Sequence, residues 1–109
     1  MSEFAIALNW YSLDQLLDFL EQSLSAAGQP TILKLWVEMI TEEVFQSAVA
    51  AGGSGVIVCR IQPESRLAFR IDGTQNPVDL RHLPGLGAWA GIKNVRITPG
   101  RDSCMVQWA

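Results

Sequence analysis

The sequence predicts an α+β domain, a two-layer sandwich in which two helices pack on one face of a mixed, mainly antiparallel sheet. Three observations lead to this prediction. Apolar residues recur at helical spacing in two segments, they alternate with other residues in several more, and glycine and proline separate the segments. The chain has 109 residues, the length of one domain, so residues 1–109 are interpreted as a single α+β unit.

The N-terminal part of the chain is expected to form a strand and then a helix. Residues 4–8, with the sequence FAIAL, alternate in the manner of a short strand. Ser12 suits the N-cap of a helix, and Gln15 is placed to complete a capping box. Leucines follow at helical spacing until Gly28 and Pro30, which end the helix.

Residues 31–39, with the sequence TILKLWVEM, also alternate and predict a second strand. Its core side would carry the leucines, while Trp36 would lie on the opposite, uncovered side of the sheet. Thr41 suits an N-cap, so a second helix is expected from there to the glycine-rich residues 52–55. The β–α–β connection that results would allow parallel strands in the sheet.

Residues 56–61 and 66–71 predict an antiparallel hairpin whose odd-numbered residues all face the core. An odd-with-odd register requires a loop with an odd number of residues, and the three residues PES fit. This register places Arg60, Arg66 and Arg70 together on the other face of the sheet.

The C-terminal part contains an irregular, Gly- and Pro-rich stretch at 81–92 and a closing hairpin. The segments NVRIT and SCMVQWA flank PGRD, which suits a turn. The complete predicted order is therefore β-α-β-α-β-β-β-β, with both helices against the core side of the sheet.

Charge is divided unevenly along the chain, whose net charge is −3. Residues 1–55 have seven acidic and one basic side chain, whereas residues 56–109 have four acidic and seven basic ones. The first twelve residues lack the basic region of a signal peptide, and no apolar run is long enough to span a bilayer. We therefore expect a cytoplasmic protein that does not enter a membrane.

Residue patterns typical of catalysis, metal binding or cofactor binding are not found. The sequence contains no HExxH, Walker or GxGxxG motif and no Cys/His cluster with metal-ligand spacing. Cys59 and Cys104 are interpreted as small buried apolar residues. His82 is the single histidine, and an enzyme would have to use it, with Asp79 or a cysteine. We expect no enzyme, no cofactor and no metal site.

Two surfaces are candidates for contact with a protein partner. The first is acidic: Asp14, Asp18 and Glu21 recur on one helix face, and Glu42 and Glu43 could extend it. The second is the arginine-bearing sheet face, with Trp36, Arg60, Arg66 and Arg70. Trp89, in the irregular stretch, could add an aromatic anchor. Both could equally be ordinary solvated faces, and the sequence does not decide which one binds.

Part of the chain resembles a known family. The motifs are FRIDG at 69–73, VDL at 78–80, an irregular loop with an aromatic residue, VRI at 95–97 and VQW at 106–108. With these motifs, residues 66–108 resemble a family of small uncharacterised bacterial domains, some of which are thought to act as antitoxins. The N-terminal helices have no counterpart in that family. The resemblance implies a bacterial protein that neutralises another protein.

These observations give one leading hypothesis and one alternative. The leading hypothesis is a small acidic protein-binding module, an immunity protein or antitoxin that covers a basic toxin, such as a nuclease. The alternative is an assembly subunit that forms homo-oligomers through the Arg/Trp sheet face. A basic sheet face could also stack single-stranded nucleic acid, but the acidic net charge and the lack of stacking aromatic residues argue against this.

Overall fold

A computed structural model describes residues 2–62, 65–84 and 96–108, with only the backbone of Ser2. Five strands and two α-helices make up the described fold. Their bounds are β1 Ser2–Ala7, α1 Leu13–Ala26, α2 Thr31–Ala50, β2 Val56–Gln62, β3 Arg66–Asp72, β4 Arg96–Gly100 and β5 Ser103–Gln107. A single 3₁₀ turn at Trp10–Ser12 connects β1 to α1.

The five strands form one sheet with the order β1-β2-β3-β5-β4, and every neighbouring pair is antiparallel. The predicted hairpin register is confirmed, because Ile57 pairs with Ile71 and Cys59 pairs with Phe69. Three residues separate β2 from β3, as the odd-with-odd register requires. The closing hairpin is confirmed as well, with β4 and β5 joined by a two-residue turn.

The two helices pack against the sheet face that carries these odd-numbered residues of the hairpin. The core between the layers contains Leu16, Leu20 and Leu24 of α1, together with apolar residues of α2, β2, β3 and β5. The predicted class, a two-layer α+β sandwich with two helices on one face, is therefore confirmed. The other sheet face is left to the even-numbered residues of β2 and β3.

The predicted strand at 31–39 is wrong, because these residues form the first half of α2, a continuous helix of 20 residues. Pro30 precedes the helix at its N-cap position, and Thr41 lies inside the helix, where its hydroxyl donates to the carbonyl oxygen of Val37 at 2.8 Å. The observed order is β-α-α-β-β-β-β. No β–α–β crossover remains, and so the sheet has no parallel pair among its described strands.

The reason for this error is the length over which the apolar residues keep helical spacing. The residues buried along α2 recur every three or four positions over the whole helix: Leu33, Trp36, Val37, Ile40, Val44, Phe45 and Ala48. This period continues across Thr41, where a boundary between strand and helix was expected. If the helix began near Thr41, the buried apolar residues before that position would not belong to its core-facing side.

The predicted burial of the two cysteines is confirmed, whereas the predicted capping box of the first helix is wrong. Cys59 and Cys104 are free and buried, as expected, and they lie on either side of Phe69 in neighbouring strands. Burial raises the pKa of Cys59 to about 12 and that of Cys104 to about 11. The predicted capping box is not formed, because the Ser12 hydroxyl bonds to Asn9 instead of capping α1.

Candidate protein-interaction surfaces

The outward side of the helical layer is acidic. Asp14, Asp18 and Glu21 are all exposed on α1, and Glu42 is exposed on α2. The two helices together contain six carboxylates and one basic side chain, Lys34. Asp14, Asp18 and Glu21 share one face of α1, as their spacing predicts, and Glu42 belongs to the same layer.

Apolar side chains are exposed on the same outward side of α2. Ile32 and Leu35 are 57% and 58% exposed, although both lie in a helix whose other apolar residues are mostly buried. The half-buried Met39 and the exposed Glu42 follow Ile32 by seven and ten residues. With Leu35 included, the spacing is three, four and three residues, so these side chains lie along one side of the helix. We call the surface formed by Asp14, Asp18, Glu21, Ile32, Leu35 and Glu42 the helical face.

The acidic residues of the two helices meet at the junction between α1 and α2. The Lys34 ammonium donates to the Ser25 hydroxyl at 3.0 Å and lies 3.7 Å from a Glu21 carboxylate oxygen. Burial raises the pKa of Glu38, as do its hydrogen bond to Glu21 and the negative charges of Glu21 and Glu42, while Lys34 opposes the shift. One lysine is thus shared among several carboxylates, and the helical face keeps a negative field.

Glu43, which the sequence suggested as an extension of the acidic surface, is not included in the helical face because it has a neighbour of its own, His82. Its carboxylate lies 3.6 Å from Nε2 of His82, on the flank of α2 where residues 76–84 pack. Glu43 is therefore one acidic neighbour of His82, and Asp79 lines the same pocket as His82.

An enzyme that used His82 would take Asp79 or a cysteine as its second group. Both oxygens of Asp79 accept hydrogen bonds from Arg81 at 2.9 Å, and this contact lowers the pKa of Asp79 well below its usual range. Both thiols are buried on the core side of the sheet with raised pKa values. Asp79 and His82 both line an open pocket on this flank of α2, together with Ser47 and Asn76, among others.

The arginines of the hairpin lie on the sheet face away from the helices, as the sequence predicted. Arg60 donates from Nε to Glu3 of β1 at 2.8 Å, and Arg70 donates from Nε to Asp72 at 3.0 Å. Arg66 lies on the same face beside Gln62 and Gln107 in the neighbouring strands. We call this surface, which Arg96 of β4 extends, the open sheet face.

Trp36 does not lie on the open sheet face, and this part of the prediction is wrong. The side chain is 3% exposed and forms part of the core, because α2 turns position 36 toward the sheet. The aromatic component of an Arg/Trp surface is therefore missing from the described part of the open sheet face. Trp89, the other proposed anchor, lies outside the described residues.

Sequence reasoning missed Ile32 and Leu35 as surface residues. The strand interpretation assigned Leu35 to the core, whereas in a helix it lies about 100° from Trp36 and faces outward. The signal that could have identified both residues is the spacing of Leu33, Val37 and Ile40, which defines the buried stripe and leaves positions 32 and 35 off it. Trp10 is another exposed aromatic residue that the sequence did not identify as a surface residue; it is 56% exposed and its ring contacts Phe45.

Four further comparisons, two of the described structure and two of the sequence, give no match. Neither of the two described helices combines the length and apolar character needed to cross a lipid bilayer. Within residues 2–62, 65–84 and 96–108, no group of three or more His, Cys, Asp or Glu residues could hold a metal ion. Comparison with models of known protein families gives no match, and comparison with curated protein sequences gives none either. The resemblance of residues 66–108 to antitoxin-like domains therefore stays a prediction from motifs.

Proposed function

We propose that the protein is a small acidic binding module that recognises a basic surface of another protein through its helical face. The observation that supports this proposal is the combination on one side of the molecule of exposed Ile32 and Leu35 with Asp14, Asp18 and Glu42. Protein interfaces commonly have an apolar centre inside a polar rim. Carboxylates in the rim would speed the encounter with a basic partner and fix its orientation.

The difference between the two candidate surfaces supports the helical face as the binding side. Arg60 and Arg70 each bond to a carboxylate of the same sheet, so a partner would have to replace these contacts. Asp14, Asp18 and Glu42 have no such ion pair with another described residue. A basic partner could therefore neutralise them without competing with an existing pair.

The finer form of the proposal is an immunity protein or antitoxin of the bacterial cytoplasm that neutralises a toxin, such as a nuclease, by occlusion. An enzyme that binds nucleic acid needs a basic cleft, because the phosphate backbone is negatively charged. A rigid acidic layer that fits such a cleft blocks it both by volume and by charge. This mechanism requires no catalytic group of the inhibitor, in agreement with the expected absence of enzyme activity.

The experiment uses the protein encoded by the adjacent gene as the candidate toxin. We expect this protein to arrest growth when expressed alone, and co-expression with the chain described here to restore growth. A helical-face variant, Asp14→Asn/Asp18→Asn/Glu42→Gln, should lose the rescue. A matched sheet-face variant, Arg60→Gln/Arg70→Gln/Arg96→Gln, should keep it.

Two results would contradict the proposal at different levels. If the neighbouring protein is harmless alone, the antitoxin role fails, while the binding role can still be tested by co-purification of the two purified chains. If the two proteins form a complex that the sheet-face variant breaks and the helical-face variant preserves, the assignment of the binding side is wrong.

A further inference from the structure

The two edges of the sheet differ in how well they are protected against pairing with another strand. The β4 edge is five residues long, contains Pro99, which has no N–H to donate, and begins with the charged Arg96. Short length, proline and charge are the usual means of blocking an edge. The β1 edge has six residues with the sequence SEFAIA, contains no proline or lysine, and pairs with β2 without a bulge.

The backbone groups that β1 presents at its free edge can be identified from the pairing with β2. Leu8 donates its N–H to Gly55 at 2.8 Å in the same register as the β1–β2 ladder. Hydrogen-bonded pairs recur at every second residue of an antiparallel ladder, so the even-numbered residues of β1 bond to β2. The N–H groups of Glu3, Ala5 and Ala7 and the C=O groups of Glu3 and Ala5 consequently point away from the described strands of the sheet, whereas the C=O of Ala7 accepts from the N–H of Asn9 at 3.0 Å.

The side chains along this edge are apolar and only half-buried on the helical side. Phe4 and Ile6 pack against the core but stay partly exposed. Phe4 stacks on Phe19 of α1 with 5.0 Å between ring centroids. We call the strand and these three apolar side chains the β1 edge.

The flank of α1 above the β1 edge carries no charge. The residues within about 60° of Phe19 on the outer half of the helix are neutral: Gln15, Gln22, Ser23 and Ala26. Asp14, Asp18 and Glu21 lie about 100° or more away round the helix. A partner could therefore approach the helical side of this edge without desolvating a charged group, whereas Glu3 and its partner Arg60 lie on the other side of the strand.

We propose that the β1 edge binds a second copy of this chain, so that the two β1 strands pair antiparallel and form one ten-stranded sheet. The register with most contacts pairs Ala5 with Ala5 of the partner subunit and Glu3 with Ala7 of the partner subunit. The two Ala5 residues then exchange two main-chain hydrogen bonds, and the N–H of each Ala7 bonds to the C=O of Glu3 of the partner subunit, which gives about four main-chain hydrogen bonds. On the helical side, Phe4 lies opposite Ile6 of the partner subunit.

The proposed register keeps the like charges of the two strands apart. In this register the two Glu3 carboxylates lie about 14 Å apart along the strands, beyond the Debye length of about 8 Å at physiological salt. Shifting the register so that Glu3 faces Glu3 would oppose like charges and leave Ala5 and Ala7 of both copies without their partners. The self-paired register avoids both costs, and so a second copy fits this edge.

The two-fold axis of such a dimer runs perpendicular to the sheet and passes near Ala5. Both helical layers then lie on the same side of the extended sheet, and both open sheet faces lie on the other. This assembly does not depend on the proposed binding function. It does not use the open sheet face, so it also differs from the Arg/Trp association considered from the sequence.

The first test is the mass of the purified chain in solution, measured by light scattering at about 100 µM. We expect the wild type to have twice the monomer mass of 12.0 kDa. Ala5→Pro removes an outward N–H without touching the bonds to β2, a position where an edge strand tolerates proline. This variant should be monomeric, and the matched Ala5→Ser should stay dimeric, with circular dichroism showing that all three are folded. A monomeric wild type, or an Ala5→Pro variant that stays dimeric, would overturn the proposal.

The second test locates the contact by crosslinking. Opposed hydrogen-bonded residues have Cα atoms about 5.5 Å apart, within the range of a disulfide. Ala5→Cys should therefore give a disulfide-linked dimer under mild oxidation, whereas Thr98→Cys, on the β4 edge, should remain monomeric on a non-reducing gel. Equal crosslinking of the two variants would show that collision alone produces the dimer. Crosslinking of Thr98→Cys alone would move the contact to the other edge.

Discussion

The helical face and the open sheet face differ in how their charges are compensated. The two helices contain six carboxylates and one lysine, which contacts Glu21, and Ile32 and Leu35 are exposed on their outward side. On the sheet, Arg60 bonds to Glu3 and Arg70 bonds to Asp72. The count of charged residues is similar on the two sides, so composition alone does not distinguish them.

This difference shows why a charged surface has to be judged by its pairing. Both arginine pairs of the open sheet face are solvent-exposed, and such pairs add little to stability. They nevertheless cancel the field that a distant partner would sense. The carboxylates of the helical face keep their field, and the exposed apolar residues there supply the contact area that charge alone does not provide.

The largest expected effect tests the helix that creates the helical face. Trp36→Ala should lower the free energy of unfolding by about 3–5 kcal/mol, because the side chain fills the core. Leu35→Ala should change it by less than about 1 kcal/mol, because Leu35 is exposed. Urea unfolding of both variants gives the comparison. The reverse order would restore the strand interpretation of residues 31–39 and remove the helical face.

The second prediction concerns exposed apolar residues on the two sides. Leu35→Lys should leave the free energy of unfolding within about 0.5 kcal/mol of the wild type. The same variant should weaken the complex with the toxin candidate at least about tenfold, because a charge replaces an apolar contact. The matched control is Val56→Lys, since Val56 is 41% exposed in β2 on the open sheet face. Isothermal titration calorimetry should give this control the wild-type affinity; equal loss in both variants would contradict the comparison.

The sequence was sufficient where one periodicity was consistent with all of the residues in a segment. The β2–β3 register followed from alternation alone, because Cys59 and Phe69 could face the core only in an odd-with-odd pairing. Residues 31–39 satisfy two periods, since Leu33 and Val37 are apolar in both a strand and a helix. The choice depended on residues beyond the segment, Ile40 and Val44, which continue the helical period.

The acidic residues and the arginines could be identified from the sequence, but the residues that pair with them could not. Glu3 and Arg60 are 57 positions apart and meet only because β1 pairs with β2. The contact between Glu43 and His82 likewise depends on where the chain after β3 crosses α2. Such contacts are set by the tertiary fold, and no local pattern contains them.

A smaller effect is expected from the pH dependence of Glu38. Its pKa is raised in the folded protein by burial and by Glu21, above its ordinary value of 4.5. The unfolded chain therefore loses this proton at lower pH, and ionisation of Glu38 costs folding stability as pH rises above 4.5. Glu38→Gln should be more stable than the wild type near pH 7, with the difference disappearing below pH 4.5. Thermal unfolding across this range provides the measurement, and a Glu38→Gln variant that is less stable near pH 7 would contradict the acidic junction.

The smallest effect is expected on the open sheet face. Arg60→Gln and Arg70→Gln should each change the free energy of unfolding by less than about 1 kcal/mol, because exposed ion pairs contribute little. The pair Arg60–Glu3 connects β1 to β2, so Glu3→Gln in the Arg60→Gln background provides a double-mutant cycle. A coupling energy well above 1 kcal/mol would mean that the sheet pairs stabilise the fold rather than mainly cancelling charge.

The most direct test of the account is the dissociation constant of the complex with the adjacent gene's product, measured side by side for the helical-face and sheet-face variants. We predict at least about tenfold weaker binding for the helical-face variant and a smaller loss of its affinity between about 50 and 300 mM salt, because fewer charges are left to screen. The sheet-face variant should match the wild type at both salt concentrations. Weaker binding by the sheet-face variant, with the helical-face variant unchanged, would contradict the account.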